Sequence, residues 1–588
     1  MNVDILSFEL LQIYIHFGRI CRVHSDRPQI RLSAARESLN KAHPDLFVSP
    51  RAQPLSHPRA AEDSTSYSAG LGTPLPSCAL PHLLRKARPL SMKSGTGGGL
   101  RADALSTYDT VVMAVAGCGP AYTVAGTIPA LIAAVGVASP AALLYCAIPV
   151  IGIALAYRQL GRVDPNAGAA YSWVARSLHP FLGFLCGWSL VVACTVFMAS
   201  STVPAGNATL SLVAPSLLGD PVLAAVVGSG WFLLMAGVVA YGARIGARAL
   251  TVITAVQLVL LIGFAVAALL SDGSGTAFSA SWFGFSHFEG QDAFVTGALI
   301  ATFAYWGWDV TSNLGEETRR GSRGSGFGGV IGVVMAFLLF ALVAVAVNVL
   351  MTPDAVSNSP EGLLIALGQQ VWPGVGGTLL VLALLLSTVA MLETALIQAS
   401  RTLFAMGRDR TLLPVLGRIH AKRHTPWVAT AVIAVASGTL AIVEAARLEP
   451  GESLLSDAVS GVGLQVTFYY SLAGLGAVVV HRKLLRTSVS NFFLMGLWPL
   501  VGALFMLWIL IESVASLSPS ALTIGFGTLA LGLLPMFAAW LRQRPYFERG
   551  RLDADRARAM DDSFGGAESD ETHVVNLARS RDELLTDF

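Results

Sequence analysis

Gly117-Cys118-Gly119-Pro120, inside an apolar stretch from 108 to 135, and Tyr305-Trp306-Gly307-Trp308, inside a second from 294 to 317, decide the fold. Both stretches are long enough to cross a hydrocarbon core as helices. A helix in lipid must satisfy its own backbone hydrogen bonds, because the surroundings offer no partner. A Gly/Pro or Gly/aromatic interruption at that depth frees N–H and C=O groups, which is tolerated where they line a cavity or bind something.

Composition supports the membrane reading. Of 588 residues, 54% are hydrophobic and 13% charged, against about 25% charged in soluble domains, and the mean hydropathy is +0.61. The net charge of +2 gives no reason to expect a nucleic-acid partner. Four of the six cysteines (Cys118, Cys146, Cys186 and Cys194) lie inside apolar spans, Cys21 and Cys78 lie outside, and none forms a C-x-x-C pair. No disulfide framework, metal site or cofactor is expected. The phosphate-binding G-x-x-x-x-G-K is absent from the sequence, and no nucleophile–base pair or metal cluster marks an enzyme.

Residues 1–104 are rich in Arg, His, Pro and Ser and read as a disordered cytoplasmic segment. A second reading places the true start at Met92. Twelve spans are then expected, near 108–135, 139–158, 181–212, 221–241, 247–270, 292–316, 327–351, 375–405, 426–443, 454–480, 494–515 and 520–541. Charge placement supports an even number. Arg158, Arg162 and Arg176, then Arg244 and Arg248, Arg319, Arg320 and Arg323, the run from Arg401 to Arg423, and Arg482, Lys483 and Arg486 fall in every second loop. The intervening loops carry Asp220, Asp272, Glu289, Asp354, Glu361 and Glu452, with Arg447 as their one basic residue. By the positive-inside rule both termini are cytoplasmic.

The transporter domain is therefore expected over 105–541, with a first repeat at 105–270, a second at 292–480 and two extra helices at 494–541, followed by a cytoplasmic tail at 542–588. Five spans per repeat relate the halves by inversion, and each half opens with a broken helix. That combination points to a small-molecule site at the breaks.

Pro165-Asn166-Ala167-Gly168-Ala169-Ala170-Tyr171 with Gly183 and Gly187-Trp188, then Asn313-Leu314-Gly315-Glu316-Glu317, then Ser400-Arg401-Thr402-Leu403-Phe404-Ala405-Met406-Gly407-Arg408-Asp409 with Leu413-Pro414 and Thr425-Pro426, follow one another in order. This series resembles the P-x-x-G-G-x-Y…G-x-x-x-G-W, N-L-G-E-E and S-R-x-L-x-A-M-x-R-D…L-P…T-P blocks of amino acid permeases of the amino acid–polyamine–organocation superfamily. The matches span roughly residues 105 to 480. The resemblance implies an all-α polytopic fold of the leucine-transporter type, a 5+5 inverted repeat plus two helices, and amino acid transport by alternating access.

It also implies roles. Gly117, Cys118, Gly119 and Ala121 would present N–H groups to a substrate carboxylate at the start of the outer half-helix, although Gly-Cys-Gly-Pro-Ala-Tyr stands where many members have G-x-G-I-F, and Pro120 removes one donor. Phe303, Tyr305, Trp306 and Trp308 around Gly307 would enclose the substrate or hold its ammonium, with Phe303 at the family's gating position. Asp309 sits where members often have Glu, and Glu393 where they more often have Asn. An intramembrane carboxylate either serves the cycle or ties down structure. Gln257 occupies the position of a Lys in proton-coupled relatives, and no Lys lies within any span. Coupling is left open between a proton on Glu393 or Asp309, a sodium ion at Ser387 and Thr388, and uncoupled exchange. Glu316-Glu317 with Arg319-Arg320, and Arg401 with Asp409, are expected to pair as an inner gate. The expected function is secondary transport of amino acids across the cell membrane, with a polyamine or organocation permease and a nutrient sensor as alternatives. The expected partners are a small-molecule substrate and the lipid bilayer, with the oligomeric state open.

Overall fold

The computed structural model describes residues 99–547 apart from 320, 360, 361, 448–453 and 543. The expectations for most of 1–104, for a start at Met92, for Arg320, Glu361 and Glu452, and for the tail beyond 547 lie outside the described residues.

The described chain is helical throughout, with one isolated β-bridge between Leu105 and Thr318. In chain order its main helices are α1 (Thr107–Gly117), α2 (Pro120–Val135), α3 (Ser139–Val163), α4 (Ala170–Ser177), α5 (Pro180–Val213), α6 (Pro221–Tyr241), α7 (Ala243–Leu270), α8 (Gln291–Phe303), α9 (Val310–Asn313), α10 (Gly321–Leu350), α11 (Gly376–Arg408), α12 (Trp427–Arg447), α13 (Leu454–His481), α14 (Trp498–Ser516), α15 (Pro519–Leu531) and α16 (Leu533–Arg542). Nine stretches among the described residues are long and apolar enough to cross a membrane. Residues Thr107–Val163 count as one of them although α1, α2 and α3 all lie within it, α8 is cut short by the second break, and the apolar part of α12 is a short one, Trp427–Val443.

Local chemistry sets the ends that matter. Ser106 and Asp109 form a capping box at α1: the Asp109 N–H donates to Ser106 Oγ (3.3 Å) and the Ser106 N–H to Asp109 Oδ2 (2.7 Å), satisfying two otherwise orphaned donors. Asp220 does the same for the first turn of α6 through Val222 and Leu223. Helix α11 is the central post. Its residues from Ser387 to Gly407 are buried, and it packs against α5, α7 and both halves of the first break. Such all-round burial explains why α11 carries polar residues that lipid would not tolerate.

The lead into α1 is tied down by backbone hydrogen bonds. Leu105 is 1% exposed; its N–H donates to Glu317 O (3.0 Å) and its C=O accepts from the Arg319 N–H (2.7 Å). Ala104 O accepts from Arg244 Nε (3.2 Å). The lead into α1 is thus bonded at Leu105 to the segment after α9.

Candidate functional site

The first break occupies two residues. Pro120 opens α2, where its missing N–H costs nothing and its fixed φ suits the first turn. Gly119 turns the chain at φ +55°, and a Cβ on it would run into Met391 Sδ on α11. The N–H groups expected to be free here are mostly engaged. The Cys118 N–H donates to Ala114 O (3.2 Å) and the Gly119 N–H to Ala116 O (3.1 Å), because so short a break still closes the last turn of α1. The Tyr122 N–H donates to Ser387 Oγ (3.1 Å). Of the expected set, the Ala121 N–H is the one without a partner among the described residues.

The second break is longer. After Phe303 the chain runs through successive tight turns, with N–H groups of Tyr305 and Trp306 donating three residues back to Thr302 and Phe303 (3.2 Å each), until α9 begins at Val310. Gly307 sits at φ +100°. A Cβ on Gly307 would overlap Gly117 O, and a Cβ on Gly117 would overlap Gly307 O. The two breaks therefore touch backbone to backbone, an approach that only glycine on both sides permits.

Beside this contact lies a cavity of about 10 Å³, room for one water molecule. Gly117, Gly307, Trp306, Phe197 of α5, and Met391 and Gln398 of α11 contribute to its wall. Trp306 meets Phe197 edge-on at 5.1 Å, and its Nε1 donates to the Tyr469 hydroxyl (2.8 Å). That hydroxyl donates to Asp309 Oδ2 (3.2 Å), which also accepts from Gln398 Nε2 (2.6 Å). Asp309 is fully buried; the Tyr470 hydroxyl lies beside its carboxylate, and Oδ1 has no aligned hydrogen-bond partner among the described residues. Gln398, rather than Asp309, faces the cavity.

Of the four aromatic side chains expected to enclose a substrate, one lines the cavity. Phe303 packs its ring on Gly463 of α13. Tyr305 turns away, its hydroxyl donating to Leu143 O (2.9 Å) and its ring against Phe340 (6.1 Å). Trp308 is 1% exposed between Tyr157 (5.2 Å) and Tyr470 (5.6 Å), under Gly329. Tight turns send successive side chains in different directions, so Tyr305 and Trp308 anchor the break to the core. Cys118 is likewise buried, against the Trp308 backbone.

The expected coupling residues do not converge. Ser387 caps α2, as described, and Thr388 Oγ1 donates its proton to Leu384 O of its own helix (2.8 Å). Glu393 is fully buried, neither carboxyl oxygen has a hydrogen-bond partner among the described residues, and Oε1 stands where a Cβ of Gly246 on α7 would be crowded. Gln257 is buried, and neither amide atom has a hydrogen-bond partner among the described residues. No hydrogen bond joins these residues among the described ones.

At the Arg-rich end the expected pairing is rearranged. Arg401 pairs with Glu317, Nε to Oε2 at 2.9 Å and Nη2 to Oε1 at 3.3 Å, both side chains at most 1% exposed. Arg408 takes Glu316 (2.9 and 3.0 Å) and Asn166 (3.2 Å). Glu316 also accepts from the Ala167 N–H (2.9 Å), and Asn313 donates to Ala167 O (2.7 Å) and Thr402 (2.9 Å). Arg401 and Arg408 of α11 reach the Glu-Glu pair because α9 is one turn long and docks directly on α11. The three sequence blocks of the resemblance thus meet in one locked cluster.

Residues 105–535 match the family model described as "Amino acid permease". The chain belongs to this family. The permease is 26% identical over 423 residues to the low-affinity putrescine importer PlaP of Escherichia coli (strain K12), covering 67% of this chain and 84% of that protein. It is 26% identical over 351 residues to the methylthioribose transporter of Bacillus subtilis (strain 168), covering 55% and 72%. It is 24% identical over 347 residues to the b(0,+)-type amino acid transporter 1 of Mus musculus, covering 57% and 68%. The permease is accordingly a multi-pass membrane transporter and not an enzyme.

Sequence reasoning missed Phe197, Met391, Gln398 and Tyr469. Gln398 left a signal, a lone amide five residues beyond Glu393 in an apolar span. Phe197 and Met391 left none, since apolar residues facing a cavity and facing lipid look alike in sequence.

Proposed function

We propose that this permease is a secondary transporter of amino acids or close amine relatives, working by alternating access across the cell membrane with both termini cytoplasmic. The observation that carries the reading is the backbone contact of two helix breaks at Gly117 and Gly307 beside a small cavity lined by aromatic and polar side chains. Broken helices meeting at mid-depth are where transporters of this architecture hold substrate. In this reading the chain forms twelve spans, two inverted sets of five and an added pair, with α1–α2 and α8–α9 each counted as one broken span.

The substrate carboxylate is placed at the Ala121 N–H on the start of α2, and the amine toward the Gln398–Asp309 side, with Trp306 and Phe197 against the side chain. The cavity must widen to admit a substrate, so the conformation described is a contracted one, with the Glu317–Arg401 lock shut. Glu393 is the proposed proton carrier: it is a buried carboxyl group with no hydrogen-bond partner among the described residues, and it departs from the family pattern. A polyamine or organocation substrate is the second reading, supported by the buried Asp309 carboxylate and by the name of the putrescine importer relative.

The test is uptake of labelled L-alanine, L-leucine, L-arginine and putrescine into proteoliposomes, with and without an imposed pH or sodium gradient, for wild type and Glu393→Gln. Accumulation driven by the pH gradient and lost in the variant supports proton symport through Glu393. Accumulation indifferent to pH removes Glu393 from coupling. Uptake of putrescine in preference to the amino acids favours the second reading, and no flux of any of the four leaves the sensor reading in place.

A further inference from the structure

Gln398 stands between the cavity and the buried charge. Its Nε2 is committed to Asp309 Oδ2 at 2.6 Å, and Asp309 has no share in the cavity wall while Gln398 does. The amide's other end, Oε1, therefore points to the α5 side, where the thiol of Cys194 approaches at 3.8 Å and Phe197, one turn on, lines the cavity. A thiol is a weak donor, so this carbonyl oxygen keeps acceptor capacity. Of the other polar side chains in the wall, Trp306 Nε1 is a donor only and is bonded to Tyr469, and Thr394 gives its hydroxyl proton to the carbonyls of Ala390 and Met391 (3.1 Å each), keeping a neutral hydroxyl acceptor that no carboxylate polarises.

A carboxylate only accepts, so Asp309 can engage the NH₂ end of the amide and not its carbonyl. A carboxylate on its NH₂ side fixes its orientation and polarises its carbonyl. We propose that Gln398 is the specificity-determining residue of the site: held by Asp309, it presents Oε1 to the cavity as the acceptor for a substrate ammonium, and Asp309 acts through it as a positioning residue. The inference rests on the proposed transport of amine-bearing substrates. It turns a buried, uncompensated carboxylate, which would bind cations indiscriminately, into a directional neutral acceptor that reads one N–H⁺ group.

The proposal makes Asp309 and Gln398 one unit. Substitutions in a unit are not additive, whereas two independent contacts add. Kinetics of L-alanine, L-leucine, L-arginine and putrescine uptake in proteoliposomes would be compared for wild type, Gln398→Met, Asp309→Asn and the double variant. Gln398→Met keeps the length and removes the acceptor, and is expected to raise KM about tenfold or more for the substrate wild type transports, as for loss of a hydrogen bond to a charged group, with kcat within about threefold. Asp309→Asn, which leaves the amide free to flip, is expected to raise KM similarly. The double variant is expected to be no worse than Gln398→Met. Gln398→Asn, which keeps the amide, carries the same comparison should Gln398→Met not reach the membrane, and is expected to retain more affinity than Gln398→Ala. Losses that multiply in the double variant, or an unchanged KM in Gln398→Met, overturn the proposal and put Asp309 in direct contact with substrate. Absence of uptake by wild type refutes the transport reading instead, so the two failures are distinguishable.

Discussion

Replacing Glu317 by Gln should unlock the Arg-rich end. In the structure Arg401 and Glu317 are at most 1% exposed and joined by two bonds, 2.9 and 3.3 Å long. Removing one partner of such a pair leaves an uncompensated buried charge, at a cost of about 3–5 kcal/mol. The penalty falls on the shut conformation alone if Arg401 reaches water when the end opens. At about 1.4 kcal/mol per tenfold, the open population should grow by roughly two to three and a half orders of magnitude. Glu316→Gln is the internal control: its partner Arg408 keeps 29% side-chain exposure, and such a pair contributes about 1 kcal/mol or less. Hydrogen exchange read by mass spectrometry over residues 164–168 and 313–319 measures the opening directly. Glu317→Gln should lose protection there by at least tenfold more than Glu316→Gln, with exchange in α14 unchanged. Equal protection in the two variants, or a uniform loss across the chain, would refute the gate assignment and make the pair a fold-stabilising contact.

Other substitutions separate transport from packing. Gly307→Ala places a methyl group on Gly117 O at a φ of +100°; uptake should be abolished while the protein still reaches the membrane, and near-normal uptake would show that the breaks are not held together. Trp306→Phe should raise KM severalfold through loss of the bond to Tyr469, whereas Tyr305→Phe should lower stability by about 1 kcal/mol in a thermal melt and leave KM unchanged. Ser387→Ala removes the acceptor of the Tyr122 N–H and should cost about 1 kcal/mol without altering the response of uptake to sodium; a lost sodium response would return Ser387 to an ion site.

Much of the architecture was legible because its causes are local or compositional. Apolar length, alternating Arg-rich loops and two Gly-centred interruptions follow from lipid and from backbone hydrogen bonding, and the breaks fall at Gly117–Pro120 and around Gly307 as read. The direction of each aromatic residue in the second break was not legible, because a chain of tight turns has no helical or strand period from which to project side chains. Tyr305, Trp306 and Trp308 are neighbours in sequence and face three different surroundings. The gate was half legible: Glu316, Glu317 and Arg401 were singled out, but the partner of Arg401 was assigned to its own helix end at Asp409 when it lies across the fold at Glu317.

The sequence by itself determined that the chain lives in a membrane, where its two helices break and which family it belongs to, since each rests on residue types whose cost in lipid is the same wherever they pack. Tertiary structure decided what the breaks do with their freed groups. It spent the Cys118 and Gly119 donors on α1, the Tyr122 donor on Ser387 and the Asp309 carboxylate on Gln398 and Tyr469, and so put an amide rather than a carboxylate in the cavity wall. Hydrogen-bond partners more than eighty residues apart are chosen by how α11 and α13 pack on the breaks, and no spacing along one helix encodes that choice.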